Sequence, residues 1–311
     1  YLFKTGSAFS KIITIKNIAW EKIFGKLPSS EYTPLKDENR INFLLLGIRG
    51  DNDPNAGAWL TDAIMIVSME KNTGKIALIS VPRDLYLQMP GEAIYEKINT
   101  VYAIGNKKYD SGLDYAKKTL AYLTGIYIDY AIEVNFDAFK DIVEILGGIK
   151  VNLEKAFIES NQWGCDAMGK NCMVFKIDAG EQNLNGESAL LYVRSRFSSS
   201  DFDRIRRQQQ VMIALKDKIL SLGILADPLK VSGIIDVLSK NIVTDVSPWQ
   251  IPELIILAGK AKTDNITRKV FENSSEGMLY ESKINGMYVL LPTDATFNNI
   301  REACQNIFKQ N

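Results

Sequence analysis

Y-A-I-E-V-N-F-D-A-F-K-D-I-V-E-I-L-G-G-I-K-V-N-L, Tyr130–Leu153, carries two short apolar runs separated by a helical repeat. Tyr130–Val134 is short and apolar and reads as a strand. Over Phe136–Leu146 apolar residues return every three or four positions, the spacing of one helix face, and Gly147-Gly148 ends the helix. Ile149–Leu153 then reads as a second strand. Alternation of strand and helix predicts an α/β fold. We expect a single three-layer domain with a mixed central β-sheet flanked by helices, plus small peripheral elements.

The same logic extends in both directions. Toward the N-terminus, Ile41–Leu46 ends in Gly47 and fits a buried strand, while Ala63–Met69 and Lys75–Val81 form two strands joined by the turn Lys71-Asn72-Thr73-Gly74. Pro82-Arg83-Asp84 closes the second of these, which puts an arginine and an aspartate at the end of a rigid element. Two helical stretches follow, beginning at Glu96–Tyr102 and continuing over Gly112–Thr124. Toward the C-terminus a polar loop containing cysteines leads to a helix that Asn185 is placed to cap. A long helix then runs from about Asp203 to Leu222. Helices over Leu229–Lys240, Pro248–Lys260 and Phe297–Phe308 complete the pattern, with short strands at Arg268–Phe271, Met278–Glu281 and Met287–Leu291; Asn285-Gly286 is a hairpin turn. Residues 1–24 space their apolar side chains as an amphipathic helix, and Lys26–Arg40, with Pro28 and Pro34, reads as a linker. The expected division is therefore an N-terminal helix and linker (1–40), a catalytic domain (41–222) and a C-terminal α/β extension packed on that domain (223–311).

Composition removes several function classes. The 37 basic and 37 acidic residues balance, which speaks against a nucleic-acid binder with a strongly basic surface. The chain contains no histidine, so Ser-His-Asp triads, Cys-His pairs and His-ligated zinc are excluded together. Cys165 and Cys172 stand close in a polar segment and read as a disulfide staple in an oxidising compartment, with two free thiols as the alternative; Cys304 reads as a small buried apolar residue. No run of eighteen apolar residues is present to span a membrane. The chain opens at Tyr1 rather than Met, which we read as a fragment or a processed form.

Against this neutral background, Tyr192–Gln210 concentrates five arginines within fourteen residues: Arg194, Arg196, Arg204, Arg206 and Arg207. In extended chain Arg194 and Arg196 would point to one side, and on a helix Arg204, Arg207 and Gln208 share a face that Arg206 leaves. Guanidinium groups in this density bind oxyanions bidentately, although a solvated basic helix start is the bland alternative. Carboxylates at Asp51, Asp53, Asp62, Asp84, Asp201 and Asp203 add the type of ligand that a hard divalent cation needs beside phosphates. Arginines and carboxylates together describe phosphoryl transfer, and the absence of G-x-x-x-x-G-K-[ST] excludes a P-loop enzyme.

These stretches resemble the motif series of the LytR-CpsA-Psr family. The resemblance is carried, in order, by I-N-F-L-L-L-G (Ile41–Gly47), L-T-D-A-I-M-I-V-S (Leu60–Ser68), K-I-A-L-I-S-V-P-R-D (Lys75–Asp84), E-K-I-N-T-V-Y-A-I-G (Glu96–Gly105), I-D-Y-A-I-E-V-N-F (Ile128–Phe136), L-G-G-I-K-V (Leu146–Val151), and Y-V-R-S-R with D-F-D-R-I-R-R-Q-Q-Q. It implies an extracytoplasmic, membrane-anchored transferase that moves a glycopolymer from a polyprenyl-pyrophosphate carrier to a peptidoglycan acceptor. It also implies that Arg83, Arg194, Arg196 and Gln208 contact the pyrophosphate, supported by Arg204 and Arg207. Asp62 is implied to hold Mg2+ or Mn2+, with Asp51 as our replacement for the family aspartate missing at position 49, and Asp201 is implied to ligate or orient the arginines. Lys97, Asn99 and Tyr102 match a block near the site entrance. Two positions depart from the family pattern: Arg49 stands where an aspartate is common, and Asp203 where glycine is frequent. Two further readings remain beside this one, a soluble metal-dependent pyrophosphohydrolase and a non-catalytic binder of anionic wall polymers. Asp62 and Asp201 are the candidate general bases.

Overall fold

The computed structural model describes residues 34–50, 57, 59–166, 168–223, 242–262 and 266–309. The expected N-terminal helix, the helix over Leu229–Lys240 and Asp51 lie outside the described residues. In chain order the elements begin with β1 (Arg40–Ile48), β2 (Thr61–Glu70), β3 (Ile76–Ser80), β4 (Tyr86–Gln88), β5 (Tyr95–Lys97), α1 (Val101–Tyr109), α2 (Gly112–Thr124) and β6 (Tyr130–Val134). Next come α3 (Phe136–Ile145), β7 (Ile149–Leu153), β8 (Phe157–Trp163), β9 (Met173–Ile177), β10 (Gly180–Leu184), α4 (Gly186–Arg194) and α5 (Asp201–Ser221). The last are β11 (Ile242–Thr244), α6 (Ile251–Gly259), β12 (Thr267–Val270), β13 (Leu279–Ile284), β14 (Met287–Pro292) and α7 (Asn298–Gln305). The chain divides into two compact units, Tyr1–Asn135 with Ile242–Asn311, and Phe136–Asn241. The divisions between these units fall at 135/136 and 241/242.

In the first unit six strands form a mixed sheet in the order β11-β6-β1-β2-β3-β12. β1 runs antiparallel to β2 and parallel to β6, and the C-terminal strands β12 and β11 close the two edges. Leu44, Leu46, Ile66 and Ile79 are fully buried, each contributing roughly 1.5–3 kcal/mol by removal from water. Beside the sheet, α1 meets α2 at glycines: a Cβ on Gly105 would lie 2.7 Å from the Cβ of Tyr115, so only glycine permits this approach. α7 is tied to α2 by Arg301, whose Nε donates to the Tyr122 carbonyl at 3.1 Å. Arg40, at the head of β1, is buried; it donates to Asn42, to Ser68 and, at 3.0 Å, to the carbonyl of Cys304 in α7. Cys304 is the expected buried small residue. The β13–β14 turn follows from Asn285 and Gly286, which both take positive φ as a type I′ hairpin requires.

The second unit is built around Val143, Leu146, Ile149, Val151, Leu184, Leu190, Val193 and Val211. Here one expectation is corrected. β7 does not join the central sheet; it pairs antiparallel with β10 in a separate two-stranded ribbon, with Ile149, Val151 and Leu153 buried while Lys150 and Asn152 face out. β8 and β9 form another ribbon in what reads from sequence as a loop. A smaller correction concerns Tyr95–Lys97, a strand paired with β4 where the sequence suggested helix; the helix starts at Val101.

Candidate active site

In the first unit the site residues sit at strand ends. Between Gly47 and Ile48 the β1–β2 register shifts, so that Gly47 pairs with Ala63 and Ile48 with Thr61, leaving Asp62 as the extra residue of a bulge. A bulge re-aims its side chain, and the Asp62 carboxylate accepts from two arginines. Arg83 Nη1 donates to Oδ1 at 2.5 Å, and Arg49 Nε donates to Oδ2 at 3.2 Å. The series continues beyond Arg83. Its Nε lies 3.6 Å from Asp84 Oδ2, and Asp84 Oδ1 accepts from Lys97 Nζ at 2.6 Å. Arg49, Asp62, Arg83, Asp84 and Lys97 thus alternate in sign along one connected row. All five are half-buried, which keeps the row less screened than a surface pair.

The block Lys97–Tyr102 acts as a brace for this row. Asn99 N–H donates to the Arg83 carbonyl, Thr61 Oγ1 donates to the Asn99 carbonyl, and Tyr102 donates through its hydroxyl to Glu133 Oε2 at 3.2 Å.

The second unit holds the arginine-rich stretch. Arg194 is the last residue of α4, so it and Arg196 do not share an extended strand. The Arg194 guanidinium lies over the rings of Phe136, at 4.0 Å, and Trp163, at 5.0 Å. The segment from Ser195 to Ser200 is then fixed at almost every residue. Trp163 Nε1 donates to Ser195 Oγ, and Arg196 N–H donates to Gln162 Oε1 at 2.8 Å. Ser198 donates to buried Glu159 through both its N–H and its hydroxyl. Arg207 holds the turn from beneath. It donates to the Tyr192 carbonyl, the Ser195 carbonyl and Ser199 Oγ, and lies over the ring of Phe157 at 4.7 Å.

The helical face anticipated for α5 is present, with Arg204 and Arg207 buried and Arg206 exposed. Arg204 Nη2 pairs with Asp201 at 3.0 Å, and Gln208 Nε2 reaches the Val193 carbonyl at 3.4 Å. Arg196 is exposed at the crest of the loop, with its guanidinium 5.5 Å from the Phe197 ring. The departure at Asp203 has a structural explanation. It is the third residue of α5, and its carboxylate accepts from Ser200 N–H and Oγ while its own N–H donates to Ser200 Oγ, a complete capping box.

Glu159, Gln162 and Trp163 were not singled out from sequence. The short apolar run in M-V-F-K-I, Met173–Ile177, was the available signal for their ribbon. Cys165 and Cys172, between β8 and β9, are disulfide-bonded, as the oxidising reading requires.

A divalent metal does not fit the described residues. Asp62 is the one assigned ligand among them, and both of its oxygens already accept from guanidinium groups. Among the described residues no three carboxylates or thiols gather to hold an ion.

The arginines at the strand ends of the first unit and those of the braced loop in the second are of the residue type that binds oxyanions. The chain is a member of the LytR_cpsA_psr family, whose profile matches residues 11–306. It is 28% identical over 267 residues to the polyisoprenyl-teichoic acid–peptidoglycan teichoic acid transferase TagU of Oceanobacillus iheyensis, covering 85% of this chain and 75% of that protein. It is 33% identical over 219 residues to the TagT transferase of the same description from Bacillus subtilis, covering 70% of this chain and 63% of that one. A solved structure of TagT bound to LIIa-WTA superposes with a TM-score of 0.66 at 26% identity, over 90% of this chain and 96% of that chain.

Proposed function

We infer that the chain is a phosphotransferase that moves a glycopolymer from a polyprenyl-pyrophosphate carrier to peptidoglycan, and that hydrolyses the pyrophosphate lipid when water takes the acceptor's place. The observation that carries this reading is the match to two relatives, TagU and TagT, that bear the same transferase description. The braced arginines support it, because phosphoryl transfer asks a protein mainly for positioning and for charge on the non-bridging oxygens.

In the reaction, an acceptor hydroxyl oxygen bonds to the phosphorus that carries the glycan. The bond from that phosphorus to the bridging oxygen breaks, polyprenyl phosphate leaves, and the hydroxyl proton passes to a base. Arg83, Arg194 and Arg196 are assigned to the phosphate oxygens. Arg207, whose donors are turned to the Tyr192–Ser199 backbone and hydroxyl, positions the loop. Arg204 and Gln208 brace the start of α5, and Asp201 orients Arg204. The Cys165–Cys172 disulfide supports action at the extracytoplasmic face of a bacterial membrane, because such bonds persist in oxidising compartments.

The test is transfer of polyprenyl-pyrophosphate-linked glycan to peptidoglycan by Arg83→Ala and Arg194→Ala variants. Loss of about a hundredfold or more in rate is expected, with thermal unfolding still cooperative. Wild-type turnover in both variants would overturn the assignment.

A further inference from the structure

Arg49 has no role in the reading above, yet it is one of the two arginines that grip Asp62. We propose that Arg49 is a built-in counter-cation: with Arg83 it occupies both oxygens of Asp62, so that a pyrophosphate group is neutralised here by fixed guanidinium charge and not by a divalent ion on that carboxylate. The proposal rests on the pyrophosphate-binding reading and deepens it.

The donor set argues for this. Mg2+ needs oxygen ligands at about 2.0–2.1 Å in a nearly octahedral shell. Each Asp62 oxygen instead accepts from a different guanidinium, at 2.5 Å from Arg83 and 3.2 Å from Arg49, so an ion on either oxygen would sit against a like charge. Charge points the same way. Arg49 adds a fixed positive charge beside Asp62, and it is always present because a guanidinium does not deprotonate in a protein. Without Arg49 that charge is lost and Asp62 Oδ2 loses its guanidinium donor. The position of Arg49 follows from the chain. It directly follows β1, opposite the bulge that projects Asp62.

The experiment is calorimetric titration of the full chain with geranyl pyrophosphate, in EDTA and in millimolar Mg2+, for wild type, Arg49→Ala, Arg49→Lys and Arg83→Ala. Wild type is expected to bind equally in the two buffers to within about twofold. Arg49→Ala is expected to weaken about tenfold in EDTA and to recover in Mg2+, with Arg49→Lys in between. A tenfold loss by wild type in EDTA, or wild-type affinity of Arg49→Ala in EDTA, would overturn the proposal. If Arg83→Ala also binds as wild type does, the pyrophosphate-site reading itself falls. If only Arg83→Ala loses binding, the role of Arg49 falls alone. Should Arg49→Ala not fold, the wild-type comparison between the two buffers decides.

Discussion

Glu159 shows how one residue sets the shape of the arginine loop. It is fully buried, and burial pushes its carboxyl up, but hydrogen bonds from Ser198, Asn161 and Phe197 more than offset this and hold it below its ordinary value. A carboxylate depressed in this way stabilises the fold above its unfolded-state value of 4.5, and that contribution fades as pH falls through the folded value. Glu159→Gln places an amide against backbone N–H donors and should cost about 1–3 kcal/mol at neutral pH. The gap in melting temperature between wild type and variant should narrow as pH drops below 4.5. A gap that stays constant, or widens toward acid, would show that the charge on Glu159 does not carry the effect. This residue was not legible in the sequence, whereas the buried Arg204–Arg207 face of α5 was. Helical periodicity tells which side chains turn inward, but not which carbonyls await them, and so the acceptors of Arg207 were hidden.

At the scale of elements, the long helix α5 carries Asp201, Arg204, Arg207 and Gln208 on its first two turns, and its start is set by Ser200 and Asp203. Ser200→Ala removes one half of that capping box and should lower stability by about 1 kcal/mol, read from denaturant unfolding. A change under a few tenths of that figure would mean that the adjoining loop, rather than the cap, fixes where the helix begins. The strands β1, β2 and β3 were legible almost residue by residue, because central strands buried on both faces read as continuous apolar runs. The placement of β7 was not. Its alternation I-K-V-N-L marks one solvated face but does not name the partner strand, which is β10 and not a strand of the central sheet. β8 escaped because E-S-N-Q-W is polar; its side chains serve the arginine loop more than a core.

For the molecule as a whole, the C-terminal part of the chain, beyond the quoted motif series, finishes the sheet. β11 covers the open side of β6 and β12 that of β3, so neither central strand is left with a bare edge. A chain ending at residue 241 should therefore be recovered mainly as aggregate, and size-exclusion chromatography of the soluble fraction checks this. A monodisperse, cooperatively unfolding truncated protein would show that the sheet tolerates open edges. Edge pairing by strands of three and four residues leaves little trace in a sequence, since so few positions carry the pattern.

The clamp at Arg40 has a mechanical consequence. Tension applied through the residues ahead of it runs lengthwise along β1, which β2 and β6 grip from both sides. Their hydrogen bonds lie across the pull, so the load shears many rungs at once and cannot unzip them singly. Through the Cys304 carbonyl, Arg40 passes part of the same load to α7, near the far end of the described chain. The first unit thereby meets a pull on its N-terminal side with strand pairs loaded in shear.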